Sequence, residues 1–261
     1  MPQFSVCVEM IFSHLPFLER LEKVKDVGIS AFEFWGWSNK DVDAIAKKKR
    51  ELGLTSSSFV VDPLSKDPMY RASITESNVK ELFISTVEAS VKVAKKLDCR
   101  KLMIAGLGAP APDLTRSQQL KNAISNLKAV APLLEESGVT LLIEPVNPVN
   151  HKGFFLRKSA EGAYIVREVG SSNVKMLYDF YHQQLTEGNL IGNAREYFDF
   201  IGFFHVGDVP GRHEPGTGEI NYQNIFRFLD ESGYRDYVSL EFMPTGDHSE
   251  AIRKTIQMAS S

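Results

Sequence analysis

TLLIEPVNPVNHKGFFLRKSAEGAYIVREVGSSNVKMLYDFYH, residues 140–182, carries one full turn of the pattern that decides the fold. It opens on an apolar run of strand length, TLLIEPV (140–146). An amphipathic stretch follows, AEGAYIVREVG (160–170), and then a second apolar run, VKMLYDFYH (174–182). Short, almost wholly apolar runs bounded by Pro, Asn or Asp suit strands covered on both faces, and such strands are parallel. Gly170 supplies the stop between helix and next strand.

The alternation continues in both directions. Further strand candidates are FSVCVEM (4–10), AFEFWGW (31–37), LTSSSFVVD (54–62), KLMIAGL (101–107), IGFFHVGD (201–208) and YVSLEFMP (237–244). Between them lie helical patterns. FLERLEKVKDVG places Phe17, Leu18, Leu21, Val24 and Val27 on one face before Gly28, and SQQLKNAISNLKAVAPLLEESG ends at Gly138. NKDVDAIAKKKRELG, NVKELFISTVEASVKVAKKLD, NLIGNAREYFDF and YQNIFRFLDESG complete the set. Eight strands and about eight helices in strict alternation predict an α/β fold, a single (β/α)8 TIM barrel over residues 1–261. That fold needs about 250 residues. An open doubly wound sheet would carry a glycine fingerprint after the first strand, where this chain reads EMIFSHLP.

Composition narrows the function. The chain has 261 residues, 43% hydrophobic and 24% charged, with a formal charge of −3. That balance argues against a nucleic-acid partner, whose surface shows as a basic excess. No apolar run reaches the ~20 residues of a membrane span, and MPQFSVCVEM lacks the shape of a signal peptide. Cys7 and Cys99 are too few for a disulfide scaffold or a thiolate zinc site, and point to a reducing cytoplasm. A homo-oligomer is left open. The basic run KKKR (47–50) reads as a solvated helix face, and GAPAPD (108–113) as a surface loop.

Four consecutive strands end in metal-capable residues. Glu144 stands in IEPVN, Asp179 in YDFYH, His205 in FHVGD and Glu241 in LEFMP. Barrel active sites lie on the C-terminal face, and strand alternation puts these groups with interior side chains. Three carboxylates in a dry barrel mouth need a compensating cation. Strands five, seven and eight contain no Lys or Arg, and Lys175 lies at the far end of strand six. One divalent ion meets the need. The donor set suits Mg²⁺ or Mn²⁺ first and accommodates Co²⁺ or Zn²⁺.

These residues carry a resemblance. LLIEPVN, YDFYHQQLTEGNL and above all HVGDVPGRHEPGTGEINY (205–222) resemble the hydroxypyruvate isomerase-type members of the xylose-isomerase-like sugar isomerases and epimerases, over nearly the whole chain. The resemblance implies that Glu144, Asp179, His205 and Glu241 bind the metal. It implies that Glu144 and Glu241 also exchange protons with the substrate, and that His182 and Arg212 hold substrate oxygens. The reaction expected is interconversion of a small hydroxy-aldehyde and hydroxy-ketone through an enediolate, on a sugar or hydroxy-keto acid related to hydroxypyruvate. Two features depart from the pattern. EPVNPVNHKGFF lacks the extra glutamate of the tagatose- and allulose-type 3-epimerases, and strand two reads EFWGW where hydroxypyruvate isomerases have EFLFPY. A ketose 3-epimerase is the alternative reading. A catalytically silent sugar- or partner-binding barrel and an apurinic endonuclease of the same barrel type are further from the residues.

Arg212 lies in a Gly/Pro-rich loop, DVPGRHEPGTGE, and its guanidinium suits a carboxylate-bearing substrate. In the same loop His213 and Glu219 read as loop-ordering residues. Trp35 and Phe12, with Trp37 and Phe59, fall near the ends of strands one to three and are expected to wall the substrate from water. Core packing is the other reading of Trp35.

Overall fold

The computed structural model describes residues 2–61 and 73–260. Eight parallel strands close into a barrel in chain order: β1 (Gln3–Cys7), β2 (Ala31–Phe34), β3 (Thr55–Val60), β4 (Lys101–Ala105), β5 (Thr140–Glu144), β6 (Val174–Asp179), β7 (Ile201–Val206) and β8 (Tyr237–Leu240). β1 pairs β8 to complete the circle. The helices among the described residues are α1 (Phe17–Asp26), α2 (Val42–Leu52), α3 (Lys80–Leu97), α4 (Arg116–Ser137), α5 (Ser159–Val169), α6 (Phe180–Thr186), α7 (Leu190–Glu196), α8 (Tyr222–Glu231) and α9 (His248–Ala259). The expected TIM barrel is the observed fold. None of these helices is long and apolar enough to cross a membrane.

Each strand stops a few residues short of its apolar run, because apolar side chains continue into the turns that line the barrel mouth. The last residue of the third run, Asp62, lies outside the described residues. The difference matters most at β6, where residues 180–182 extend the apolar run yet are helical. Asp179 caps that helix: its Oδ1 accepts from the backbone N of Tyr181 at 2.8 Å and of His182 at 3.4 Å. A carboxylate in that place satisfies the first orphan donors of the helix and complements its dipole. Local capping thus puts α6 where apolar periodicity alone reads strand.

Two apolar layers hold the barrel. Phe32, Phe34, Phe59, Tyr178 and Phe204 belong to the large core between sheet and helices. A separate interior layer joins Met103, Leu142, Leu177 and Phe203 of β4–β7 beneath the mouth. Lys101 at the opposite end bonds Asp236 at 2.5 Å and lies 5.6 Å from the Phe203 ring centroid. Helix ends follow their sequence signals. Thr115 and Gln118 form a capping box on α4, and Gly138 closes that helix at φ +67°, a conformation L side chains rarely adopt. KKKR departs from its expected solvated face: Lys49 is buried, and its Nζ donates to the Leu97 carbonyl, bridging α2 to the end of α3.

Candidate active site

Register brings the strand ends to one level. Asp179 pairs with His205, and His205 with Ser239, two residues before Glu241. Glu144 closes β5 beside Ala105. One ligand atom from each of Glu144, Asp179, His205 and Glu241 lies within 4.8 Å of all the others, and all four side chains are buried. The four residues read from separate strand ends therefore converge at one point.

A cation already reaches this cluster, contrary to the inference drawn from the strands. Arg212 arrives from the β7–α8 loop. Its Nη2 bonds Asp179 Oδ2 at 2.8 Å and also Glu241 Oε2, while Nε donates to the Glu241 backbone carbonyl at 3.1 Å. Its guanidinium carbon lies 5.0 Å from the Tyr181 ring centroid. His205 is the second positive group, with Nδ1 2.7 Å from Glu241 Oε2 and Nε2 2.9 Å from Glu33 Oε2. Burial works against a charge on His205, but Glu33 and Glu241 overcome it and hold its pKa well above the ordinary value. Burial would also raise Glu241, yet Arg212 and His205 hold its carboxyl below the usual range. Glu144 is the opposite case: burial drives its carboxyl well up, and His205 offsets only part. Glu144 Oε1 has no hydrogen-bond partner among the described residues.

The donor set fits a divalent ion. Three carboxylates and one imidazole converge, and the orphaned Glu144 Oε1 is a buried polar atom that coordination would satisfy. Cys7, Glu33 and Glu241 form an overlapping second group. Burial and Glu241 push the Cys7 thiol well up, so it stands as a neutral S–H beside the cluster.

His182, on α6, is fixed by Asn147 in a network the sequence reading did not include. Asn147 Oδ1 accepts from the backbone N of Val149 and Asn150 at 2.9 and 2.8 Å, which orients the amide. Its Nδ2 and backbone N then face His182 Nδ1 at 2.6 and 3.2 Å. Two donors on Nδ1 leave the proton on Nε2. That nitrogen points at Asp179 Oδ2 (3.5 Å) and Glu144 Oε1 (3.8 Å).

A cavity of about 740 Å³ opens over the cluster. Glu144, His182, His205, Arg212 and Glu241 line it, with Trp35, Tyr181 and His151. Trp35 does form wall, and its Nε1 also donates to Glu241 Oε1 at 3.1 Å. Phe12 does not line the cavity, which corrects its expected place. It is buried against His248, the rings stacking at 5.5 Å, and its backbone N donates to His248 Nδ1 at 2.7 Å. Phe59 stacks on Phe34 at 5.1 Å in the outer core, and Trp37 Nε1 donates to Ser90 Oγ at 3.2 Å. Proximity to a strand end had placed these rings near the mouth. The direction of the side chain takes them away from it.

Asp208, also unread in the sequence, organises the loop that delivers Arg212. Its fully buried carboxylate accepts from the backbone N of Val209, Gly216, Gly218 and Ile220 at 2.9–3.1 Å. A Cβ on Gly218 would lie 2.0 Å from the Val209 carbonyl, so the loop closes only with glycine there. Arg212 itself takes φ +57°, locked by the Met243 N–H on its carbonyl at 2.7 Å. Asp208→Ala leaves several buried N–H groups unpaired and is expected to cost about 2–4 kcal/mol of stability. Thermal unfolding should show a midpoint lower by several degrees. An unchanged midpoint would remove Asp208 from this role. His213 Nδ1 bonds the Met243 carbonyl at 2.7 Å and Glu219 accepts from Gln184 Nε2 at 3.0 Å, loop-ordering contacts in both cases.

The family model described as xylose isomerase-like TIM barrel matches residues 21–260. Hydroxypyruvate isomerase of Escherichia coli is 29% identical over 250 residues, covering 94% of both chains. The 2-oxo-tetronate isomerase of Cupriavidus necator is 29% identical, covering 97% of this chain and 96% of its own. A crystal structure described as an AP endonuclease of family 2 from Brucella melitensis superposes with a TM-score of 0.93 at 30% identity, covering 98% and 99% of the two chains.

Proposed function

The chain belongs to the xylose isomerase-like TIM barrel family, and from that premise we propose that it is an aldose–ketose-type isomerase acting on a short hydroxy-keto acid or sugar. The observation that carries this is the convergence of Glu144, Asp179, His205 and Glu241 beneath a cavity into which Arg212 and His182 also face. The relatives named for hydroxypyruvate and 2-oxo-tetronate isomerisation support the acid class of substrate. The endonuclease description of the Brucella chain is weaker support for its own activity here. The net charge is −3, and among the described residues the four-member cluster draws no ligand from β3 or β4.

Glu144, Asp179, His205 and Glu241 would hold one divalent ion, Mg²⁺ or Mn²⁺ before Co²⁺ or Zn²⁺. Such an ion acidifies the C–H next to a carbonyl and stabilises the resulting enediolate. The protein's own part is proton transfer and orientation. Glu144 and Glu241 reach the cavity from non-adjacent strands and act as the acid–base pair, one removing the C–H proton beside the carbonyl and one returning a proton to the former carbonyl carbon, while the hydroxyl proton passes to the former carbonyl oxygen. His182 offers Nε2–H to a substrate oxygen in a tautomer set by Asn147. Arg212 offers its guanidinium to the acid group. Trp35 holds Glu241 in place, and Val61, Ile104, Val146 and Leu185 keep the cavity wall apolar. An apolar wall limits quenching of the enediolate by water. Both cysteines are free thiols, in keeping with a reducing cytoplasm.

The deciding experiment is a product assay on hydroxypyruvate, 2-oxo-tetronate, erythrulose and tagatose with Mg²⁺ or Mn²⁺. Acid isomerisation should dominate. Stereochemical inversion of a neutral ketose with no acid turnover would reassign the chain as a 3-epimerase. Chelation should abolish turnover and either ion should restore it, whereas full activity after chelation would refute metal dependence.

A further inference from the structure

Glu33 is a buried acidic side chain that the proposed mechanism does not use. In AFEF of β2, Phe32 and Phe34 turn outward into the core between sheet and helices, where Phe34 stacks on Phe59. Strand alternation therefore turns Glu33 into the barrel interior, where it is 0% exposed. The β2–β3 register shifts between Phe32 and Glu33, which sets Ser58 opposite the glutamate. Ser58 Oγ donates to Glu33 Oε2 at 2.6 Å. The other contact of that oxygen is His205 Nε2 at 2.9 Å, and Glu33 Oε1 has no hydrogen-bond partner among the described residues. A carboxylate this deeply buried and only half satisfied is costly, and its ionic partner among the described residues is His205.

The imidazole of His205 has two nitrogens, and the structure gives each a different duty. Nε2 faces Glu33. Nδ1 lies 2.7 Å from Glu241 Oε2 and 3.9 Å from Glu144 Oε1, inside the four-residue cluster. A carboxylate that already receives the Ser58 hydroxyl can only accept from the ring, so Nε2 carries the proton. Without an ion Nδ1 donates its own proton to Glu241 Oε2; a bound ion would take the place of that proton on the Nδ1 lone pair, on the cluster side.

We propose that Glu33 is a positioning residue, whose carboxylate takes the Nε2–H of His205 and so fixes the ring with Nδ1 turned toward Glu144, Asp179 and Glu241. Its consequence for ion binding rests on the metal reading above; its consequence for the ring does not. Carboxylate partners of this kind orient a ligating histidine, and removing one costs about 10–100-fold in metal affinity.

The test uses Glu33→Leu and Glu33→Gln in the full chain. Free Mn²⁺ is counted by electron paramagnetic resonance, so affinity is read without turnover. Glu33→Leu should bind Mn²⁺ about 10–100-fold more weakly than the parent chain. Glu33→Gln keeps a carbonyl acceptor at the same reach and should recover most of that loss. In ¹⁵N-histidine-labelled, chelator-treated protein, a downfield Nε2 proton of His205 should be present in the parent and in Glu33→Gln, and lost in Glu33→Leu. Unchanged Mn²⁺ affinity in Glu33→Leu, equal losses in both variants, or persistence of the Nε2 proton in Glu33→Leu would each overturn the proposal. If the parent itself fails to bind Mn²⁺, the metal reading falls, and the Nε2 proton still decides the role of Glu33.

Discussion

Glu144→Gln and Glu241→Gln are each expected to lower kcat by about 10²–10⁴-fold, the usual contribution of a positioned acid or base. Glutamine keeps a carbonyl oxygen for coordination but has no carboxylate to take a proton. The two variants should nevertheless differ. Glu144 Oε1 has no hydrogen-bond partner among the described residues, so an amide there disturbs few contacts. Both Glu241 oxygens accept: Oε1 from Trp35, Oε2 from Arg212 and from His205 Nδ1. An amide NH2 at that place must face at least one other donor, which is repulsive. Glu241→Gln should therefore weaken Mn²⁺ binding as well as turnover, and Glu144→Gln turnover more selectively. The double variant should lose less than the product of the single losses, because the two groups act as a unit. An enediol route also carries solvent deuterium into the product carbon, and partial incorporation suffices where protons pass between the shielded glutamates faster than they exchange with water. Complete retention of the substrate hydrogen, with near-normal turnover in both ion-loaded variants, would overturn proton transfer and leave the ion site standing.

The barrel and the cluster were legible because both rest on strand pattern. Apolar runs bounded by turn residues mark each strand, and a charged residue inside such a run has only the interior to face. Glu144, Asp179, His205 and Glu241 were found by that rule. Glu33 satisfies the same rule in AFEF, but it stands early in the run AFEFWGW, away from the C-terminal strand ends that mark a barrel site. What periodicity does not carry is the reach of a loop. Arg212 neutralises two carboxylates from outside every strand, where strand pattern carries no sign of it. The helical state of residues 180–182 depends on a single side chain capping two backbone donors. The turn of Phe12 away from the cavity depends on His248, over two hundred residues along the chain. Contacts of that kind are set by packing and leave no local trace.

Arg212→Ala is expected to cost about 2–4 kcal/mol, about 30- to 1,000-fold in kcat/KM, for a carboxylate-bearing substrate. The structure divides that loss in two. Arg212 bonds Asp179 and Glu241, so part of the effect is disorder of those carboxylates and should fall equally on acid and neutral substrates. The remainder belongs to the substrate carboxylate and should appear only with acids. Measuring hydroxypyruvate against erythrulose separates the two shares, and equal losses would make Arg212 an organiser of the site with no part in acid preference. Ion affinity provides an independent sign. A guanidinium placed between Asp179 and Glu241 competes with a divalent cation for the same oxygens. Arg212→Ala should consequently bind Mn²⁺ at least as tightly as the parent while turning over far more slowly. Arg212→Lys keeps a point charge without the planar fork, and should restore part of the shared loss but little of the acid preference. A large fall in Mn²⁺ affinity in Arg212→Ala would mean that the arginine builds the ion site instead of competing within it.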